Sequence, residues 1–171
     1  PMTCSEDSGV EPLLRGYCVE DESAGLARTQ TSPDIIIWDE LMIHEITLKV
    51  DGKSYKAALE PSMSLLDLLR DTLGVKGAKL CCNTGECGAC TVLLDGKPVN
   101  SCVVLGADAA GVKIVTVEGL AEGDRLHPVQ QAFIDTGAVQ CGYCTPGFIL
   151  SVKALLDRSK HPSPEEIEEA I

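Results

Sequence analysis

Four cysteines in the middle of this 171-residue chain constrain its fold more than any other feature. Cys82, Cys87 and Cys90 follow one another with C-x4-C-x2-C spacing, and Cys102 comes a short distance further along. This is the plant-type spacing of ligands for a 2Fe-2S cluster, a group that transfers single electrons. The spacing therefore predicts a loop that wraps an iron-sulfur cluster, with electron transfer as its chemistry.

The residues between these cysteines suit such a loop. A loop around an anionic cluster turns several backbone N–H groups towards the sulfur atoms, which requires unusual backbone angles and close approach. Gly85 and Gly88 allow both because they lack a Cβ atom, and Ala89 keeps the wall of the loop thin. We therefore expect Gly85 and Gly88 to contribute to cofactor binding.

Zinc is the main alternative metal, because soft thiolates bind it as readily as iron. Zinc sites of this kind combine two C-x2-C pairs about 15 to 20 residues apart. The pair Cys87 and Cys90 has its nearest second pair at Cys141 and Cys144, far outside that spacing, and zinc leaves Cys82 unexplained. The spacing therefore favours an iron-sulfur cluster over zinc.

Composition narrows the class of protein. Hydrophobic residues make up 44% of the chain and aromatic residues only 4%, so the core must be aliphatic. A formal net charge of −12 argues against a nucleic-acid partner, which attracts basic surfaces. No apolar run suggests a membrane span and no secretory leader is recognisable. The odd total of 9 cysteines with ligand-like spacing favours metal binding in a reducing compartment, so we expect a cytoplasmic protein.

Residues 1–41 differ from residues 42–119. The first stretch mixes acidic residues with Gly, Ser, Thr and Pro and is interpreted as an irregular extension. From residue 42 two alternating strands flank the turn Asp51-Gly52, and a helix opens with a capping box at Ser64 and Asp67. Further strands are predicted at 91–94, 99–105 and 112–117. This order predicts an α+β domain in which one helix covers a mixed sheet.

Beyond Gly119 the apolar spacing changes from strand-like to helical. Residues 120–171 predict a small all-α domain, with helices starting at Pro128, after the N-cap Thr145 and after the capping box at Ser163. The second of these helices follows the C-x2-C pair Cys141 and Cys144. The N–H groups at a helix start stabilise thiolates. Taken alone, the pair fits either half of a second cluster site or a redox-active or inert pair of thiols.

Three segments in order resemble a known family. They are Lys79–Val92 around the first cysteines, Asp95–Cys102, and Gln140–Gly147 with the sequence Q-C-G-Y-C-T-P-G. Together they resemble the iron-sulfur subunit of the molybdenum hydroxylases, the group of xanthine dehydrogenase, aldehyde oxidoreductase and carbon monoxide dehydrogenase. The resemblance covers residues 42–171.

The resemblance implies two cluster sites. A β-grasp, ferredoxin-like domain would bind the first 2Fe-2S cluster through Cys82, Cys87, Cys90 and Cys102. A helical-bundle domain would bind a second 2Fe-2S cluster nearer the molybdenum, with Cys141 and Cys144 as two of its ligands. Gln140 would lie close to the molybdopterin bound in a partner subunit.

The resemblance also implies a division of labour within a complex. A large subunit with the molybdenum cofactor would hydroxylate a substrate, and electrons would pass through both clusters to FAD in another subunit or to an external acceptor. This chain would carry electrons and would have no catalytic residue of its own. Its histidines, His44, His127 and His161, stand alone in the sequence and are interpreted as surface or helix-capping residues.

Two features depart from the family. The remaining two ligands of the second cluster, a C-x-C motif in the family, do not occur in the sequence. We therefore expect either that the chain is a fragment or that the second cluster is missing or completed otherwise, for which Cys4 and Cys18 are conceivable substitutes. Cys81 replaces a glycine that is usual in the family and is interpreted as a bystander, because neighbouring residues of an extended segment point apart.

Two other classes of protein remain as alternatives. A free ferredoxin would need the first cluster but would leave residues 120–171 unexplained. A thiol oxidoreductase would use Cys141 and Cys144 as a dithiol, but such pairs follow a strand in a βαβ unit, and here the pair links two predicted helices.

Overall fold

The computed structural model describes residues 44–171, and the predicted extension over 1–41 lies outside them, as do Cys4 and Cys18. These residues form a mixed five-stranded sheet with the order β2-β1-β5-β3-β4. The strands are β1 His44–Val50, β2 Lys53–Leu59, β3 Thr91–Leu94, β4 Lys97–Asn100 and β5 Lys113–Val115. Strands β1 and β5 are parallel, whereas the other neighbours are antiparallel.

The hairpin of β1 and β2 forms where the sequence predicts it. Its two turn residues, Asp51 and Gly52, have φ angles of 50° and 77°. Positive φ at both positions gives the turn a twist that matches the twist of the flanking strands. The alternation in each strand then buries one face, which includes Leu48 and Leu59.

One helical segment covers this face of the sheet. Helix α1 spans Leu65–Asp67 and continues as a π-helical turn over Leu68–Thr72. The segment and the sheet enclose an apolar core, built mainly from Leu48, Val50, Leu59, Leu65, Leu66, Leu68, Leu69, Val92 and Ile114. A mixed sheet covered by this segment agrees with the predicted α+β, ferredoxin-like class, and the core is aliphatic as the composition predicts.

The predicted N-cap at Ser64 is confirmed, but the reciprocal bond of a capping box is not formed, because the Asp67 carboxylate accepts from the Ser64 hydroxyl and not from the Ser64 backbone N–H. The Ser64 hydroxyl accepts a hydrogen bond from the backbone N–H of Asp67 at 3.1 Å and donates one to the Asp67 carboxylate at 2.6 Å. We expect Ser64→Ala to lower the free energy of unfolding by about 1 kcal/mol, because it leaves an N-terminal N–H group of the helix without its acceptor. Denaturant unfolding of the metal-loaded protein measures this, with the exposed Ser62→Ala as the matched control. Equal stability of the two variants would contradict the cap's contribution.

Three further helices follow the sheet in the chain. They are α2 Pro128–Asp135, α3 Thr145–Arg158 and α4 Pro164–Ala170. His127 caps α2, because its Nδ1 atom accepts from the N–H of Val129 at 3.2 Å, as a capping role predicts. Thr145 is not the N-cap of α3 as predicted, since that position belongs to Cys144.

Helix α3 packs against the sheet face that α1 does not cover. A second apolar cluster joins Leu93 of β3 to Ile149 and Leu150 of α3, together with Leu120 and Val129. Successive residues of a strand point to opposite faces, so Val92 enters the first core while Leu93 enters the second. Strand β3, which follows the cysteine loop, is therefore covered on both faces.

A polar joint links the β1–β2 turn to the segment that leaves β5. The Asp51 carboxylate accepts hydrogen bonds from the backbone N–H and the hydroxyl of the fully buried Thr116, both at 2.7 Å. Burial raises the pKa of Asp51, while these bonds act in the opposite direction. A Cβ at Gly119 would lie only 2.0 Å from an Asp51 carboxylate oxygen, so any other residue at position 119 would clash with Asp51. Nothing local in the sequence predicts this joint.

The described residues all belong to one compact unit. The division into domains at 42–119 and 120–171 therefore stays a prediction. Among residues 44–171, no helix is both long and apolar enough to cross a membrane.

Candidate metal centre

The cysteine loop between α1 and β3 has the unusual backbone that its sequence predicts. Asn83, Gly85 and Gly88 all have positive φ, at 58°, 81° and 68°. A Cβ at position 85 would also lie 3.3 Å from both γ-carbons of Val103, which is tighter than most real contacts. Glycine at position 85 therefore permits both the positive φ angle and the close packing of the loop against Val103.

Side chains from the following strands hold this loop in place. The Asn100 amide donates to the carbonyl of Gly85, and the Thr91 hydroxyl donates to the carbonyl of Gly88 at 2.7 Å. The same Thr91 hydroxyl lies 3.2 Å from the Asn100 side-chain oxygen. Sequence reasoning did not single out Asn100. The only hint in the sequence is its position, since Asn100 is polar, ends a strand and directly precedes Ser101 and Cys102.

The predicted strand over 99–105 is wrong beyond Asn100, and the deviation brings Cys102 to the site. The backbone N–H and the hydroxyl of the buried Ser101 both donate to the Cys90 carbonyl, at 3.3 Å and 2.7 Å. The backbone bond continues the register of β3 and β4 by one pair, and the chain then leaves the sheet in a single 3-10 turn, Ser101–Val103. Cys102 comes to lie beside Cys90, and the N–H of Gly85 donates to its sulfur.

The protein environment separates the acidities of two of these thiols. Hydrogen bonds from the Thr84 hydroxyl and from the backbone N–H groups of Thr84 and Cys87 lower the pKa of Cys82 to about 5. The two N–H groups lie 3.4 Å and 3.5 Å from its sulfur. Burial, with the adjacent Cys90, raises the pKa of Cys102 to about 11. Binding to a metal deprotonates a thiol, so Cys102 would release its proton when iron binds.

The four thiols stand in pairs. Cys82 is in hydrogen-bond contact with Cys87, and Cys90 with Cys102. Within residues 44–171, no three His, Cys, Asp or Glu side chains surround the position of a single metal ion. A 2Fe-2S cluster is held by four thiolates and presents two irons, so two thiol pairs around inward-facing N–H groups fit this group.

Cys81 is closer to the predicted ligands than its interpretation as a bystander implies. Its exposed thiol forms a hydrogen bond with Cys87, which raises the pKa of Cys81. A fifth thiol therefore lies at the edge of the site.

The second pair of cysteines lies at the start of helix α3. Cys141 and Cys144 are both exposed, and Gly142 between them has a φ of 83°. Cys144 is the N-cap itself, and its carbonyl accepts the first helical hydrogen bond, from Phe148, at 3.2 Å. The thiol thus sits directly at the end of the helix that favours negative charge. Gln140 is also exposed at this edge.

The second pair is held against the first loop. The Tyr143 hydroxyl donates to the carbonyl of Leu80, which directly precedes the first cysteines. A cavity of about 430 Å³ lies between loop and helix, and both Cys87 and Cys144 line it. Sequence reasoning treated the two cysteine motifs separately. The structure brings them to one side of the molecule.

Comparison with protein families gives the class of this protein. Residues 48–113 match the 2Fe-2S iron-sulfur cluster binding domain, and residues 116–171 match a second [2Fe-2S] binding domain. The first match contains the cysteine loop and Cys102, and the second contains Cys141 and Cys144. The fold and the site therefore belong to a protein with 2Fe-2S binding domains.

Individual relatives narrow this class. The nicotinate dehydrogenase small FeS subunit of Eubacterium barkeri is 48% identical over 126 residues, which cover 74% of this chain and 80% of the relative. The nicotine 6-hydroxylase small subunit of Paenarthrobacter nicotinovorans is 43% identical over 127 residues, which cover 74% of this chain and 76% of the relative. The chain belongs to the iron-sulfur subunits of the molybdenum hydroxylase family and is an electron-transfer subunit of an oxidoreductase complex.

Solved structures agree with this assignment. A chain of quinoline 2-oxidoreductase from Pseudomonas putida 86 superposes with a TM-score of 0.73 at 39% identity, over 75% of this chain and 80% of that one. The aldehyde oxidoreductase from Desulfovibrio desulfuricans superposes with a TM-score of 0.70 at 44% identity, over 74% of this chain. This chain corresponds to only 14% of that longer enzyme. The same unit therefore occurs both as a short chain and as part of a larger one.

Proposed function

We propose that Cys82, Cys87, Cys90 and Cys102 are the four ligands of the first 2Fe-2S cluster. The observation that carries this proposal is the geometry of the loop, in which the N–H groups of Thr84 and Cys87 lie 3.4 Å and 3.5 Å from the Cys82 sulfur, inside the segment that matches a cluster-binding domain. The chain supplies hydrogen-bond donors to these sulfurs, including the N–H of Gly85 on Cys102. Such donors, with burial, tune the potential at which a cluster accepts an electron.

We further propose that residues 120–171 form a helical domain around a second 2Fe-2S cluster, with Cys141 and Cys144 as two of its ligands. The segment 116–171 matches a [2Fe-2S] binding domain but contains only these 2 cysteines. A 2Fe-2S cluster is held by about four protein ligands, so further thiolates must come from elsewhere. The exposure of both thiols and the N-terminus of α3 at Cys144 suit the completion of such a site.

The proposed role of the chain is to carry electrons between larger partners. A bound 2Fe-2S cluster supplies one-electron transfer. Around it, the chain positions thiolates and directs N–H groups at the sulfurs, and it offers the exposed edge at Gln140 to a subunit with a molybdopterin cofactor. We propose two partners in the cytoplasm, a large molybdenum subunit that supplies electrons and an FAD-binding subunit that receives them. The likeness to the small subunits of nicotinate dehydrogenase and nicotine 6-hydroxylase supports assembly with a larger subunit.

Isolation of the native complex without oxygen tests this function. We expect visible absorption that bleaches with dithionite, about four irons for each copy of the chain, and co-purification of molybdenum and flavin. A free ferredoxin would carry about two irons and no partner. A colourless protein that reduces insulin disulfides would overturn the proposal in favour of a dithiol at Cys141 and Cys144. The intact mass of the native chain would show whether it holds cysteines beyond those in this sequence.

A further inference from the structure

The first turn of helix α3 touches the cysteine loop through two glycines. A Cβ atom at Gly147 would lie 2.2 Å from the carbonyl oxygen of Gly88 and 3.1 Å from its carbonyl carbon. Real Cβ atoms do not approach an oxygen so closely. Gly147 is buried, so only a residue without a side chain allows this contact between helix and loop. A glycine inside a helix lowers its stability, which makes a packing reason necessary.

Hydrogen bonds hold the Gly88 carbonyl in place, so it cannot easily move away from helix α3. Its carbonyl accepts hydrogen bonds from the backbone N–H of Thr91 at 3.0 Å and from the Thr91 hydroxyl at 2.7 Å. Gly88 itself has a φ of 68°, and Thr91 is buried at the start of β3. A side chain at position 147 would therefore displace the helix and leave the loop in place.

Both glycines adjoin a cysteine of the proposed cluster sites. Gly88 directly follows Cys87, and Gly147 lies in the helical turn that Cys144 caps. All four residues line the same cavity of about 430 Å³. The backbone contact of Gly88 with Gly147 is thus the place where the two cysteine segments meet, and the Tyr143 hydroxyl on the Leu80 carbonyl provides a second link.

We propose that Gly147 is a positioning residue that sets the separation of the two cluster sites and so the rate of electron transfer between them. The proposal rests on the function proposed above, in which Cys144 and Cys87 each hold a cluster. With clusters bound, one electron would pass from the site that Cys144 helps to hold to the site that Cys87 helps to hold, without transfer of any atom or proton. Electron transfer slows steeply as the distance between two clusters increases. It is also faster through packed backbone than across open space.

The variant Gly147→Ala tests this role in the native complex. The added methyl group requires a displacement of roughly 1 Å, because close-packed atoms do not overlap. We expect both cluster signals in electron paramagnetic resonance to persist, with a weaker magnetic interaction between the reduced clusters and slower electron transfer from the second to the first. Ser151→Ala, one turn further along α3 and lining the same cavity, is the matched control and should change neither.

The outcomes separate this inference from the function on which it rests. Two intact signals with unchanged interaction in Gly147→Ala would overturn the positioning role and leave the function standing. Absence of the second cluster signal in the unaltered complex would overturn the function itself. If Gly147→Ala does not fold, Tyr143→Phe decides, because it removes only the hydroxyl that links the pair to Leu80. A weaker interaction in Tyr143→Phe supports the coupling of helix and loop, and an unchanged one overturns it.

Discussion

Cys90→Ala is expected to eliminate the first cluster and to leave the second. Cys90 is only 3% exposed and contacts Cys102, so its removal leaves one of the two thiol pairs incomplete. The loaded complex should lose about two irons for each copy of the chain and one of its two signals in electron paramagnetic resonance. Electron delivery to the acceptor should fail, because the substituted site lies on the route.

Cys90 is a better choice than Cys87 for this test. Cys87 has the exposed thiol of Cys81 next to it, which offers the iron a replacement ligand, whereas the described residues provide no such neighbour at Cys90 apart from the other proposed ligands. The matched control is Cys81→Ala, which removes a thiol of the same loop. It should retain both signals and the full iron content. Loss of both signals in Cys90→Ala, or of neither, would contradict the assignment of ligands.

Local patterns in the sequence predict much of this molecule. The hairpin turn at Asp51 and Gly52 and the cap at Ser64 each depend on residues within a few positions of one another, so their sequence signals are direct. The spacing of Cys82, Cys87 and Cys90 is likewise local. For this reason the loop and its chemistry could be inferred before any strand was placed around it.

The remaining features depend on contacts between distant parts of the chain. The strand predicted to continue to residue 105 ends at Asn100, where the chain enters the 3-10 turn that brings Cys102 beside Cys90. The approach of Gly147 to Gly88 joins residues that lie far apart in the sequence. Periodicity and propensity describe neighbours along the chain, and they give no measure of which distant backbone groups will meet.

The joint between Asp51 and Gly119 is a distant contact whose energy can be measured. We expect Gly119→Ala to lower the free energy of unfolding by about 3 kcal/mol, because the new methyl group would displace the Asp51 carboxylate and leave two donors of the buried Thr116 unpaired. Rotation of the Asp51 side chain cannot relieve the overlap, since the Cβ of Asp51 would itself lie 2.6 Å from the new atom. Denaturant unfolding of the loaded protein measures the loss.

A double-mutant cycle isolates this contact from other effects of the substitution. Asp51→Gly removes the carboxylate and its Cβ at a position whose φ of 50° glycine tolerates, so it should cost about as much as Gly119→Ala. Because each change breaks the same two hydrogen bonds, the double variant should be no less stable than Asp51→Gly alone, a coupling of about 3 kcal/mol. Additive losses would show that Gly119 acts independently of Asp51.

Glu118→Ala controls for charge: Glu118 raises the pKa of Asp51 but makes no contact in the joint through its side chain, so this variant should retain full stability.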